Sequence, residues 1–297
     1  MDIRSALTDL TTGLRDVTDT PDLDAQVALA HVLDKSRTWI LSHLDSPLSD
    51  SQADSVQQAL SKLQAGTPLP YLLGHWEFFG LDFKVTPDVL IPRPETELLI
   101  EHALAFLQSR ERTRFSSLRA SPERSRRAAD VGTGSGCIAV SLATQVPDLR
   151  VVATDLSLPA LAVAKSNARK HGVSDRVDLI ECDLLPPHPD PLPTESHFDL
   201  ICANLPYVPS HIVPGLPIFG REPTLALDGG PTGLDLIRRL LTIAPQWLAP
   251  QGLILLETEA SLGMQTLSLA FDMFSEANIH LYQDLSGKDR LVEIALP

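Results

Sequence analysis

The 297 residues carry a formal charge of −14 at pH 7, and that acidity argues against a protein built mainly to wrap nucleic acid, because phosphate binding needs surplus Lys and Arg. Cys137, Cys182 and Cys202 are too few and too widely spaced for a disulfide framework or a zinc knuckle, and the histidines show no metal-ligand spacing. The opening "MDIRSALTDL" lacks an apolar signal-peptide core and no later stretch reaches the roughly 18 apolar residues of a membrane span, so a soluble, cytoplasmic monomer of two domains is expected.

Residues 1–74 read as helical. In "DLDAQVALAHVLDKS" the positions Leu23, Val27, Ala30 and Leu33 make one apolar stripe, and "SDSQADSVQQALSKLQAG" opens on capping residues and ends at Gly66. A small bundle follows from this, either docking a partner or stabilising its neighbour. Residues 75–95 change period: "EFFGLDFKVTPDVLIPRPETE" predicts a β-hairpin around Gly80 and Asp82, then a connector fixed by the prolines flanking Arg93. "PETELLIEHALAFL" then predicts a helix opened by Pro94 and acids, which suit its dipole.

The run 110–127, "RERTRFSSLRASPERSRR", holds seven arginines against two glutamates and is expected to be a flexible, solvated insert. After it "AADV", "RVVATD", "RVDLIECD", "FDLICAN", "GLILLETE", "NIHLYQD" and "RLVEIAL" alternate with helical stretches. Such alternation predicts an α/β domain with a mainly parallel sheet covered on both faces. "PPHPDPLP", residues 186–193, reads as a surface loop.

"DVGTGSG" places Gly132, Gly134 and Gly136 on a tight turn between the first of these strands and a helix, where backbone N–H groups can approach a ligand. The spacing lacks the last glycine of the dinucleotide fingerprint. Asp155 closes the second strand, where a carboxylate can accept both hydroxyls of a ribose. Asp183 ends the third in "IECD", placed to accept from an adenine amine while Leu184 packs on the ring. Together these strand ends predict a nucleoside site. Cys137 reads as a small space-filler beside the turn.

"NLPY" follows the fourth strand. If the Asn204 side-chain oxygen and the Leu205 backbone carbonyl each accept one hydrogen of a planar NH₂ group, its nitrogen lone pair is aimed at an electrophile. Tyr207 then stacks on the group. Pro206 restricts Leu205 to extended conformations and so fixes that carbonyl; a proline at 205 would add two further restraints, so leucine implies looser positioning with the chemistry retained.

The order "DVGTGSG", "VVATD", "IECD", "NLPYVP" resembles class I S-adenosylmethionine-dependent methyltransferases of the amino-methylating kind, whose usual acceptor motif is Asn-Pro-Pro-Tyr. "PLPYLLGHWEFFG", "VLIPRPETE", "REPTLALDGGPTGLD" and "SGKDRLVEI" narrow the resemblance, over nearly the whole chain, to the release factor glutamine N5-methyltransferases, the HemK/PrmC family. The resemblance implies a seven-stranded, mostly parallel, doubly wound Rossmann-like sheet in residues 96–297, with the hairpin connector at 75–95 and a helical substrate-docking domain at 1–74. It implies that Gly132, Thr133, Gly134, Ser135, Gly136, Asp155, Asp183, Leu184 and Asn204 hold S-adenosylmethionine. Asn204, Leu205, Pro206 and Tyr207 would hold and orient the glutamine of the Gly-Gly-Gln loop of a class 1 peptide chain release factor, with no metal, membrane or nucleic acid required. The departures are Leu205 for proline and the arginine-rich insert.

Other readings use the same residues. A glutamine methyltransferase of a ribosomal protein shares the reaction, and adenine N6 of a nucleic acid presents the same planar NH₂. A nicotinamide oxidoreductase would explain the glycine turn and Asp155 but not "NLPY". A non-catalytic module could retain the nucleoside site alone.

Overall fold

A computed structural model describes residues 1–116, 126–187 and 196–297. Most of the arginine-rich run and of the proline-dense loop lies outside the described residues. At the edges of the former, helix continues to Ser116 and Arg127 opens a strand. The chain divides into two compact units between Trp76 and Glu77.

The first unit contains α1 (Ile3–Leu14), α2 (Pro21–Leu33), α3 (Arg37–Ser42), α4 (Asp50–Gln64) and α5 (Leu69–Leu73). Local chemistry sets the starts. Asp2 accepts from Ser5 N ahead of α1, Ser36 caps α3, and Ser49 with Gln52 forms a reciprocal capping box on α4. Ile3, Leu10, Leu14, Leu29, Ile40 and Val56 fill the core. The predicted stripe of α2 is corrected here: Leu23 is exposed, and the buried residues are Ala25, Ala28, Leu29, Ala30 and Leu33. The reason is that α2 packs against α1, α3, α4 and α5, and alanines let several neighbours approach a wide face.

The hairpin of β1 (His75–Phe78) and β2 (Leu81–Lys84) turns at Phe79 and Gly80, both with positive φ, which suits a two-residue turn. A 3₁₀ turn at Pro94–Thr96 then leads into α6 (Glu97–Ser116). After it come β3 (Arg127–Val131), α7 (Cys137–Gln145), β4 (Arg150–Asp155), α8 (Leu158–Lys170) and β5 (Val177–Glu181). The remaining elements are β6 (Phe198–Ala203), α9 (Asp235–Ile243), β7 (Leu248–Glu257), α10 (Gly263–Met273), β8 (Asn278–Gln283) and β9 (Asp289–Ala295).

Seven strands form one sheet in the order β5-β4-β3-β6-β7-β9-β8, parallel except where β9 runs antiparallel to β7 and β8. Alternate residues face opposite layers. Ala128, Leu200 and Leu253 pack with α6 and α7, while Ala129, Ile201 and Ile254 pack with α9 and α10. Burial on both faces explains why these strands read as near-continuous apolar runs. The chain steps outward from β3 to β4 and β5, then returns to β6 on the other side of β3. The reversal opens a crevice beyond the carboxyl ends of β3 and β6, where doubly wound sheets place ligands.

Candidate active site

A cavity of about 250 Å³ occupies that crevice. Its walls come from the glycine turn after β3, the tips of β4 and β5, the segment after β6, and two further stretches, Asp88–Arg93 and Pro223–Ala226. Of the residues expected to act here, Gly132, Thr133, Gly134, Ser135, Asp155, Asp183, Leu184, Asn204, Leu205 and Pro206 line it. Gly136 and Tyr207 do not. Gly136 immediately precedes α7 with φ +81, and a Cβ there would come 3.1 Å from the Cβ of Ala164, so it lets α7 approach α8. Tyr207 is largely covered, and burial together with the Glu257 charge raises its phenol well above the ordinary range.

The glycine turn is held from below. Gly132 and Thr133 both donate to the Thr154 carbonyl, at 2.9 and 2.8 Å. Asp155 accepts from Gly134 N at 2.9 Å through Oδ2 and from Ser157 N at 2.8 Å through Oδ1. Each carboxylate oxygen retains acceptor capacity toward the cavity. Gly134 has φ +55, and a Cβ on it would meet nothing within 4 Å, so the bare backbone there forms an open cradle. Leu184 sits in the left-handed region with φ +65, held by the Thr154 hydroxyl, which donates to its carbonyl at 2.5 Å. Asp183 is engaged by Arg239 Nη2 at the rim. A glycine turn left open at Gly134, flanked by carboxylates and apolar Leu184, fits a nucleoside with a charged tail.

Beneath the turn Asp130 is fully buried, accepting from Thr133 Oγ1 at 2.6 Å and Ala139 N at 3.0 Å, while Oδ1 has no partner. Burial pushes its pKa up to about 6. Burial also pushes the Cys137 thiol up to about 12, so it is no activated nucleophile.

Asn204 follows β6 directly. Its Nδ2 donates to Thr96 Oγ1 at 3.1 Å. Because an amide shows nitrogen at one end and oxygen at the other, that bond leaves Oδ1 as the acceptor. Leu205 turns its side chain into the core; a Cβ on Gly132 would lie 3.2 Å from its Cδ2. The site therefore combines a nucleoside-sized cradle with the Asn204 side-chain amide among the residues of the same cavity wall.

Residues 5–74 match the PrmC N-terminal domain, and residues 128–215 match a methyltransferase domain. A release factor glutamine methyltransferase of Moorella thermoacetica is 43% identical over 271 residues, covering 91% of this chain and 89% of the relative. Another, of Bordetella pertussis, is 39% identical over 277 residues, covering 91% and 93%. The chain belongs to the release factor glutamine methyltransferase family. Its fold is shared at lower identity: the catalytic domain of hMettl16 in complex with an RNA hairpin aligns with TM-score 0.54 at 15% identity, over 86% of this chain and 88% of that one.

In this family member the long motifs brace the segment after β6. Val208 N donates to Leu227 O at 3.0 Å, Gly229 N to Val208 O at 2.8 Å, and Ser210 Oγ to Asp228 Oδ1 at 2.6 Å. A Cβ on Gly229 would come 2.6 Å from the Pro206 carbonyl, which explains glycine in "LDGG". Glu222, 5% exposed, accepts from Ile91 N and from the Arg93 guanidinium, so "REPT" locks "IPRPE" against the cavity. Asn167 is a buried hub: its Oδ1 accepts from Lys84 N at 2.8 Å, and its Nδ2 donates to Lys84 O at 3.0 Å and Ser135 O at 2.8 Å. Reasoning from the sequence names neither Thr96, Asn167, Glu222 nor Glu257. The signal for the last was a carboxylate closing the apolar run "GLILLETE" beside the strand that delivers Asn204.

Proposed function

We propose that this protein transfers a methyl group from S-adenosylmethionine to the side-chain amide nitrogen of the Gly-Gly-Gln glutamine in a class 1 peptide chain release factor. The observation that carries this reading is the Asn204 amide, anchored through Nδ2 to Thr96 in a residue that lines the same cavity as the glycine turn. Family membership supports the donor, the acceptor and the partner. Gly132–Ser135, Asp155, Asp183 and Leu184 would hold the donor's nucleoside, which brings a methyl group already activated by a positive sulfur.

The chain's own residues supply position. An amide nitrogen is a weak nucleophile because its lone pair is delocalised. Asn204 Oδ1 accepts one of its hydrogens and the Leu205 carbonyl the other, which fixes the plane of the group and directs the nitrogen toward the donor. Pro206 holds Leu205 extended so that the carbonyl keeps its direction. The apolar wall of Leu184, Ile91 and Leu205 excludes water, which would compete for the same acceptors. Positioning of this kind can account for most of the rate: as the N–C bond forms the sulfur–methyl bond breaks and the neutral thioether leaves, and the amide proton is given up late to bulk water, so no strong base is needed.

We assign release factor docking to the N-terminal helical unit, and expect a cytoplasmic monomer. The test is to incubate the protein with S-adenosylmethionine and a release factor and to map added methyl groups by mass spectrometry. A single methyl on the Gly-Gly-Gln glutamine is expected. Methyl on a ribosomal protein glutamine or on adenine N6 would overturn the substrate assignment.

A further inference from the structure

Glu257 closes β7, the strand beside β6, and the mechanism above leaves it without a role. It is 4% exposed, and its Oε2 has no hydrogen-bond partner. The register pairs Cys202 with Leu255 and Ala203 with Leu256, which puts Glu257 level with Asn204 and on the same side of the sheet. The side chains of Thr96 and Asn204 face it and favour its charged form, as does Arg290 of β9, whereas burial and Glu95 disfavour that form. Tyr207 and Cys137 also sense its charge. The Thr96 hydroxyl accepts from Asn204 Nδ2 and still has one hydrogen to donate. The Glu257 carboxylate is the acceptor that faces it.

Which end of an asparagine amide faces a cavity is decided by its partners, since the two ends have nearly the same shape. We propose that Glu257 is a positioning residue whose carboxylate, directly and through Thr96, keeps the Asn204 NH₂ turned inward and Oδ1 turned toward the substrate. This rests on the reading that Asn204 Oδ1 accepts the glutamine amide hydrogen. When the carboxylate takes up a proton it becomes a donor, and the Asn204 oxygen becomes its best partner. The amide then turns and points hydrogens at the place where substrate hydrogens must sit. Burial pushes the Glu257 pKa up to about 7, so this reversal falls within the working pH range. Activity is lost as pH falls through that value.

The test uses the full chain and begins without substrate or cofactor. The side-chain NH₂ resonances of Asn204 in ¹⁵N-labelled protein, assigned by their loss in Asn204→Ala, are followed from about pH 5 to about pH 9. In the unsubstituted protein they should titrate with one midpoint near that of Glu257, and in Glu257→Gln they should not. Thr96→Val, which removes the hydroxyl but keeps the carboxylate, should displace the midpoint. With S-adenosylmethionine and release factor, Glu257→Gln should lower kcat by about tenfold or more, leave KM for the release factor nearly unchanged, and flatten the acid limb of the pH profile. Resonances that stay flat in the unsubstituted protein, that still titrate in Glu257→Gln, or a Glu257→Gln enzyme with unaltered kcat and acid limb would each overturn the inference. Titration as expected in a protein that methylates something other than glutamine would overturn the substrate reading and uphold the positioning.

Discussion

Leu205 stands where the related acceptor motif carries its first proline, and its side chain shows what leucine contributes. It is 4% exposed and packs with Val131, Ala203 and Leu184 under the glycine turn. A proline ring would fix φ but leave part of that volume empty. The restraint that proline would have added is replaced in part by the bonds from Val208 and Gly229 that tie the segment to its neighbour. Leu205→Ala should therefore destabilise the fold by about 2–5 kcal/mol, read as a lower urea midpoint with an unchanged slope. An unaltered midpoint would contradict this packing account.

At the level of elements, the central strands β3, β4, β6 and β7 were legible because burial on both faces writes each of them as an apolar run, and the glycine turn because positive φ demands glycine. Asp155 and Asn204 were legible because they end such runs. Thr96, Asn167 and Glu222 were not, since each acts through a partner far along the chain: Thr96 with Asn204, Asn167 with Lys84 and Ser135, Glu222 with Ile91 and Arg93. Pairing across such separations has no local period. The stripe on α2 failed for a related reason, because a helix packed by several neighbours has no single apolar face to display. Asn167 joins β2, α8 and the glycine turn, so removing it loosens all three. Asn167→Ala should lower stability by about 3 kcal/mol and weaken S-adenosylmethionine binding, measured by calorimetry; unchanged affinity would show that the turn holds itself.

For the whole molecule, two buried acids make stability depend on pH. Glu257 is raised from 4.5 to about 7 and Asp130 from 3.8 to about 6, both by burial. A carboxyl with a folded pKa above its unfolded one favours folding when protonated. Its contribution is complete below the unfolded value and is lost as pH rises through the folded value. Stability should fall between about pH 4 and 7, and Glu257→Gln should be more stable than the unsubstituted protein at pH 8, by up to about 3 kcal/mol, with little difference at pH 5. Equal thermal midpoints at pH 8 would contradict it. The charge on Glu257 is thus one the fold would be more stable without. The central claim is that Asn204 Oδ1 and the Leu205 carbonyl grip one amide group, and a crystal structure with S-adenosylhomocysteine and the release factor tests it most directly. The glutamine side-chain nitrogen should lie within about 3 Å of both oxygens. A glutamine seated elsewhere, or an Asn204 oxygen turned in toward Glu257, would contradict it.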